Sequence, residues 1–291
     1  MQVSYNEINS RAEKSYSPLM YLHRIKRPGE NYIVKSILLD DLPILIFAFG
    51  SFGTNFIYRL IGIVLLTFSF WCVYEYGYYE NDYVAAKYEQ DPVLSDKYHS
   101  ELIVIKWWQP WRWALLFSIL GIAVLKVKGI NFDLPFNDGA YPTTQNTSTY
   151  LLFWLGFLLL SRAIFYVYNH VNKKTRVWLY PLLQISRYCG LLVLLPTNLI
   201  GACAILGQVF ARSLTYTVYR YVSNNNWPKL QDWFLRWLLF AVILTMIACT
   251  QSNIELIFNW QTLAISGWWL FRCRKQIFQI FNNIEPIWNN A

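Results

Sequence analysis

The chain has 291 residues, of which 55% are hydrophobic, 19% aromatic and only 14% charged, against about a quarter charged in ordinary soluble domains. So few charges cannot cover a soluble protein of this size, and the same composition excludes disorder, collagen and coiled coil. The net charge of +8 reads as membrane topology and not as a nucleic-acid surface, because most basic residues fall between apolar runs.

In chain order, residues 1–37 are expected to form a cytoplasmic arm. The segment from Ser17 to Pro28 mixes apolar residues with His23, Arg24, Lys26 and Arg27. That mixture suits a short amphipathic helix on an anionic membrane surface, and equally a plain positive flank. The arm lacks the apolar core of a signal peptide, so none is expected. Residues 38–291 form the transmembrane domain. Apolar runs place spans near 38–55, 58–80, 111–127, 149–169, 177–196, 199–220, 234–251 and 255–271. The break between the fifth and sixth rests on Pro196-Thr-Asn198. The fold class is therefore all-α, a polytopic transmembrane bundle of eight spans, with nine as the alternative count.

Orientation follows from the basic residues. With the N-terminus inside, Lys173, Lys174, Arg176, Arg272, Arg274, Lys275 and most other basic residues face the cytoplasm. Trp107, Trp108, Trp233, Trp268 and Trp269 crowd the expected interfaces, as an aromatic belt does. The stretch 138–149 reads as an external loop, and its Asn146-Thr-Ser148 sequon matters only in a secretory setting. The five cysteines stand at no motif spacing and read as buried thiols. The three histidines are too scattered for a metal site.

Polar groups inside a membrane are costly and mark the places to look. Glu75, Asp82 and Glu89 are spaced by seven, nearly two helical turns, so a continuous helix turns all three one way. Asn81 lies beside that stripe. Oxygen ligands of this kind can hold Mg²⁺, and Mg²⁺ can hold a diphosphate; an ordinary solvated helix end is the plain alternative. Arg162, Arg187 and Arg212 fall within the fourth, fifth and sixth spans. With Glu75 the one carboxylate expected at similar depth, the three arginines point to an anionic ligand that guanidinium groups grip in bidentate fashion. Snorkelling and pairing with carbonyls or tyrosine hydroxyls would serve equally.

The stretch Asn81-Asp82-Tyr-Val-Ala85-Ala-Lys-Tyr-Glu89 resembles the first Asp-rich motif of the UbiA superfamily of intramembrane prenyltransferases. Asn81 and Asp82 match its Asn-Asp-x-x-Asp-x-x-x-Asp pattern, Glu89 stands at its last position, and Ala85 replaces its middle aspartate. A second Asp-rich motif is not found: between Arg212 and Asp232 the only carboxylate is Asp232. The family usually has nine spans where eight are counted. The resemblance implies a prenyltransferase acting on a polyprenyl diphosphate or a related lipid-linked phosphate. It implies Mg²⁺ held by Asn81, Asp82 and Glu89, and Glu75 as acceptor base or supporting group. Arg162, Arg187 and Arg212 are the expected phosphate ligands, and Tyr74, Tyr78 and Tyr79 could line an isoprenoid path. The rival reading is a non-catalytic membrane subunit that binds a lipid or a protein partner. A transporter is a weaker third reading, since Pro196 and Gly201 supply a single helix break.

Overall fold

The computed structural model describes residues 16–50, 55–101, 103–127, 147–222 and 230–282, all helical or connecting segments with no strand among them. The arm before Tyr16, the sequon at Asn146 and most of the expected external loop lie outside the described residues. The chain divides into two compact units, Met1–Pro196 and Thr197–Ala291.

In the first unit a turn at Leu22–Lys26 and a widened π-helical stretch at Ile33–Asp41 precede helix α1, Leu42–Phe49. Pro43 stands in the first turn of α1. It has no N–H to donate and its ring crowds the carbonyl four residues back, which the widened turns before it accommodate. Helix α2, Phe56–Tyr88, has 33 residues and is roughly 50 Å long. A hydrocarbon core is about 30 Å thick, so a helix of this length outruns it by several turns. It stops at Glu89, whose ψ of 139° is extended, because Pro92 follows and disfavours a helical Asp91. A short helix α3, Asp96–Ser100, is capped by the Ser95 hydroxyl. Helices α4, Trp108–Val127, and α5, Thr147–His170, pack on α2. Helix α6, Arg176–Cys189, contains Pro181 and passes into a tight turn at Gly190–Val193. At 14 residues it is about 21 Å long.

Small residues let these helices approach. A Cβ on Gly62 would run into Leu125 of α4, and one on Gly77 would run into the Phe165 ring of α5. Between them Ser69 is a hydrogen-bonding hub: its hydroxyl lies 2.9 Å from the Ala114 carbonyl and 2.8 Å from Ser118 Oγ, and accepts from Trp154 Nε1 at 3.0 Å. Such small and hydroxyl-bearing contacts are the means by which helices hold together in lipid, where apolar burial between them gives little.

The second unit is built on α7, Leu199–Val222, α8, Asp232–Thr250, a single turn α9, Glu255–Phe258, and α10, Trp260–Asn282. Asn198 begins α7 by accepting the Gly201 N–H at 2.8 Å, which is how the Pro196-Thr-Asn198 break becomes a helix start. Gly207 brings α7 against the α8 backbone near Arg236 and Phe240. Phe240 meets Trp269 of α10 edge-on.

Among the described residues four helices are long and apolar enough to cross a membrane: α2, α5, α7 and α8. The described residues are all-helical, with several such helices, as in a membrane protein. The run expected as one span at 255–271 is divided at Asn259, where the backbone is extended between α9 and α10.

Candidate functional site

The acidic end of α2 is closed by the segment before it in sequence. Leu19 adopts a left-handed φ of 65°, a conformation that costs a residue with a Cβ on the order of 1–3 kcal/mol. That turn directs two backbone N–H groups at Glu75: Leu19 at 2.7 Å and Leu22 at 3.1 Å. Tyr16 donates its hydroxyl to the same carboxylate at 2.6 Å. One helical repeat further, Asp82 accepts from the Tyr21 hydroxyl at 2.7 Å and pairs with Lys26. Glu75 and Asp82 are both buried. Burial and the neighbouring carboxylates keep the Tyr16 and Tyr21 hydroxyls protonated far above the usual tyrosine range. Tyr16, Tyr21, Ile25 and Ile105 then form a small core under this cover, ringed by Tyr76, Tyr78 and Tyr79.

Glu75 and Asp82 thus lie on one face and share one covering segment. Glu89 lies past the last helical residue and faces elsewhere. It is bound by Lys173 at 2.9 Å and Arg176 at 2.7 Å. Burial pushes its carboxyl up, but the two cations outweigh this and hold it below the ordinary glutamate value. This pair borders a cavity of about 760 Å³ at the junction of α5 and α6, lined also by Tyr88, Asn169 and His170. Asn81 is half-buried, its amide 3.4 Å from Asp82. Ala85, which stands where the UbiA-type pattern has an aspartate, is buried.

Arg162 and Arg187 do not converge: each meets its own carboxylate in the first unit. Arg162 makes a two-pronged contact with Glu80, at 3.0 and 2.6 Å, and lies over the Tyr76 ring at 4.9 Å. Asn169 donates to the same Glu80 at 2.9 Å. Arg187 makes a two-pronged contact with Asp41, at 2.9 and 2.8 Å, reaches Ser36 at 3.1 Å and covers Trp71 at 4.7 Å. Arg212 belongs to the second unit. Glu80 and Asp41 are the carboxylates that reading the sequence passed over, and they occupy two of the arginines expected to need an outside anion, Arg162 and Arg187. Asp40 and Asp41 at the head of an apolar run were the available signal.

The set Asn81, Asp82 and Glu89 does not fit a divalent cation in this arrangement. Asp82 and Glu89 are each held by a basic side chain of the protein, and they face different neighbours. No group of three or more acidic, histidine or cysteine side chains poised for a metal occurs among the described residues. Tyr74 packs between Phe70, Trp71 and Phe165 at centroid separations of 5.0, 5.3 and 4.7 Å, and Tyr78 lies against Phe165 at 5.4 Å; both are core contacts. No family model, curated protein or solved structure matches the chain.

Proposed function

We propose that the chain is an integral membrane protein of non-catalytic type that binds a lipid or a protein partner. The observation that carries this reading is the state of the acidic groups. Glu75, Glu80, Asp82, Glu89 and Asp41 are each engaged by hydroxyl, N–H, amide or cationic groups of the chain itself. A metal–diphosphate site needs carboxylate oxygens turned toward one open space. Here they are spread over several separate contacts.

The chain crosses the membrane eight times in this reading, with its N-terminus and basic connections on the cytoplasmic side. The four helices that satisfy length and hydropathy are supplemented by α4, α10 and the paired segments 33–49 and 176–193.

The second reading is a UbiA-like prenyltransferase, favoured by the Asn81-Asp82 pair at the end of a long apolar helix. It requires the segment from Tyr16 to Lys26 to leave Glu75 and Asp82. Asn81, Asp82 and Glu89 would then be the residues to hold Mg²⁺, with Arg162, Arg187 and Arg212 toward the phosphate. Purified protein with a prenyl diphosphate and Mg²⁺ separates the two. The first reading expects no metal-dependent release of diphosphate, and a co-purifying lipid content unchanged by EDTA or Asp82→Asn. Metal-dependent release that Asp82→Asn abolishes would overturn it in favour of the transferase.

A further inference from the structure

Helix α4 has two unlike faces. Ala114, Ser118 and Leu125 are buried, and they meet α2 where Ser118 joins Ser69 and Leu125 covers Gly62. The opposite face is apolar and exposed, with Leu116, Ile119 and Leu120. Trp108, Arg112 and Leu116 stand at a spacing of four, so they stack one above another on that outer face. An exposed apolar helix face that ends in Trp and Arg is the pattern of a helix meeting lipid tails and then headgroups.

A cavity of about 400 Å³ opens at the first turns of α4. It is lined by Trp108, Gln109, Arg112, Trp113 and Leu116, together with Tyr16 of the segment that covers Glu75. The Arg112 guanidinium lies over the Trp108 ring at 5.2 Å. Among the described residues no hydrogen-bond acceptor or carboxylate engages it. An indole face steadies a guanidinium but carries no net charge to neutralise it. In this Arg112 differs from Arg162, Arg176 and Arg187, each of which is closed by a carboxylate. Gln109 accepts the Lys106 N–H through Oε1 at 2.9 Å, which leaves its amide N–H groups as donors. No acidic residue lines the cavity. It offers positive charge and donors at one end and an apolar strip at the other.

We propose that this cavity takes the phosphate of an anionic phospholipid, with the acyl chains laid along Leu116, Ile119 and Leu120. Arg112 grips the phosphate through paired N–H groups, and Gln109 donates beside it. In the eight-span reading this end of α4 is cytoplasmic, the side on which anionic headgroups set the surface potential. Tyr16 both lines the cavity and donates to Glu75. A lipid seated against it therefore holds the segment 16–26 closed, as a ligand stabilises the state it binds. The proposal rests on the membrane reading above and names the lipid class. It is independent of whether Asp82 binds a metal.

The test uses the full-length protein, stripped of lipid in detergent. It is titrated with dioctanoyl phosphatidylglycerol or dioctanoyl phosphatidylcholine and followed by native mass spectrometry and limited trypsin digestion. Phosphatidylglycerol should bind about tenfold more tightly, as one charge-assisted contact provides, and salt should reduce the difference. It should also slow cleavage around Arg24, Lys26 and Arg27. Arg112→Ala should lose most of the preference and of the protection, and Arg112→Lys should recover part of both. Arg24→Ala, which removes an equally exposed charge outside the cavity, should keep the preference. Equal binding of the two lipids by the unaltered protein, full preference in Arg112→Ala, or an equal loss in Arg24→Ala overturns the proposal. Binding without protection from trypsin would overturn the placement against Tyr16. Displacement of the lipid by equimolar inorganic phosphate would overturn the lipid assignment in favour of a free-anion site. Metal-dependent prenyl transfer would overturn only the functional reading of the preceding subsection.

Discussion

Arg187 and Asp41, 146 positions apart in the chain, face each other through two hydrogen bonds with side-chain exposures of 3% and 1%. Tyr188 adds a third bond to the same carboxylate at 2.8 Å. Removing one partner strands the other charge, which costs about 3–5 kcal/mol in comparable buried pairs. Asp41→Ala and Arg187→Ala should each lower the unfolding midpoint in detergent strongly. The double variant should be less destabilised than the sum of the two, as a thermal double-mutant cycle would read out.

Glu75 should act as the anchor of the segment 16–26. It accepts three hydrogen bonds from that segment, and a hydrogen bond contributes about 0.5–1.5 kcal/mol net. Glu75→Ala should therefore raise tryptic cleavage around Arg24, Lys26 and Arg27 by about tenfold or more. Leu19→Gly should act the other way on the local strain, since glycine adopts a positive φ without penalty. Cleavage rates equal to wild type in Glu75→Ala would show that the segment is held by other contacts.

A pH dependence should come from Glu89. Its carboxyl is held below the ordinary value of 4.5 by Lys173 and Arg176, so it binds protons less readily folded than unfolded. Its contribution is fully present above that value and is lost as pH falls through the lower native value. Thermal unfolding measured from neutrality to below 4.5 should show a shallower pH dependence in Glu89→Gln than in wild type. An identical slope in the two proteins would remove Glu89 from the account.

Glycines separate by what faces them. Gly77→Ala drives a methyl into the Phe165 ring and should destabilise by about 1–3 kcal/mol, as overpacking does. Gly156 has nothing within 4 Å of an added Cβ. Gly156→Ala should be neutral or stabilise by up to about 1 kcal/mol through helix propensity alone. The unfolding midpoint should fall in Gly77→Ala and stay unchanged or rise in Gly156→Ala.

A reporter fused after Ala291 tests the topology. In the proposed reading, eight spans from a cytoplasmic N-terminus would return the chain to the cytoplasm after α10, which carries Arg272, Arg274 and Lys275. A reporter active only in the cytoplasm is expected. Activity only outside would require an odd number of spans.

The positions of the helices were legible because long apolar runs between basic connections leave the backbone few other choices. The spacing of seven correctly relates Glu75 to Asp82, since both meet the same covering segment. It says nothing of Glu89 once the helix has ended, and Pro92 was the visible reason that it ends. The ion-pair partners were not legible. Whether Arg162 meets Glu80 or a ligand depends on how α2 and α5 are rotated against each other, which the close seating of Phe165 over Gly77 limits and no local pattern encodes. The cover over Glu75 was hidden for a similar reason: it depends on a leucine in a left-handed conformation, 56 positions before its acceptor.

The separation of Asp41 from Arg187 has a consequence for synthesis. A ribosome adding about 5–20 residues per second needs roughly 7–30 seconds to advance across the 146 positions between them. During that interval the apolar stretch around Asp40 and Asp41 lacks its counter-ion. An uncompensated carboxylate resists entry into hydrocarbon by several kcal/mol. Residues 33–49 should accordingly wait at the membrane border and move to their final depth only after α6 has emerged. Truncation after Thr175 should leave Asp41 reachable by water-soluble labels, and extension past Cys189 should close it off.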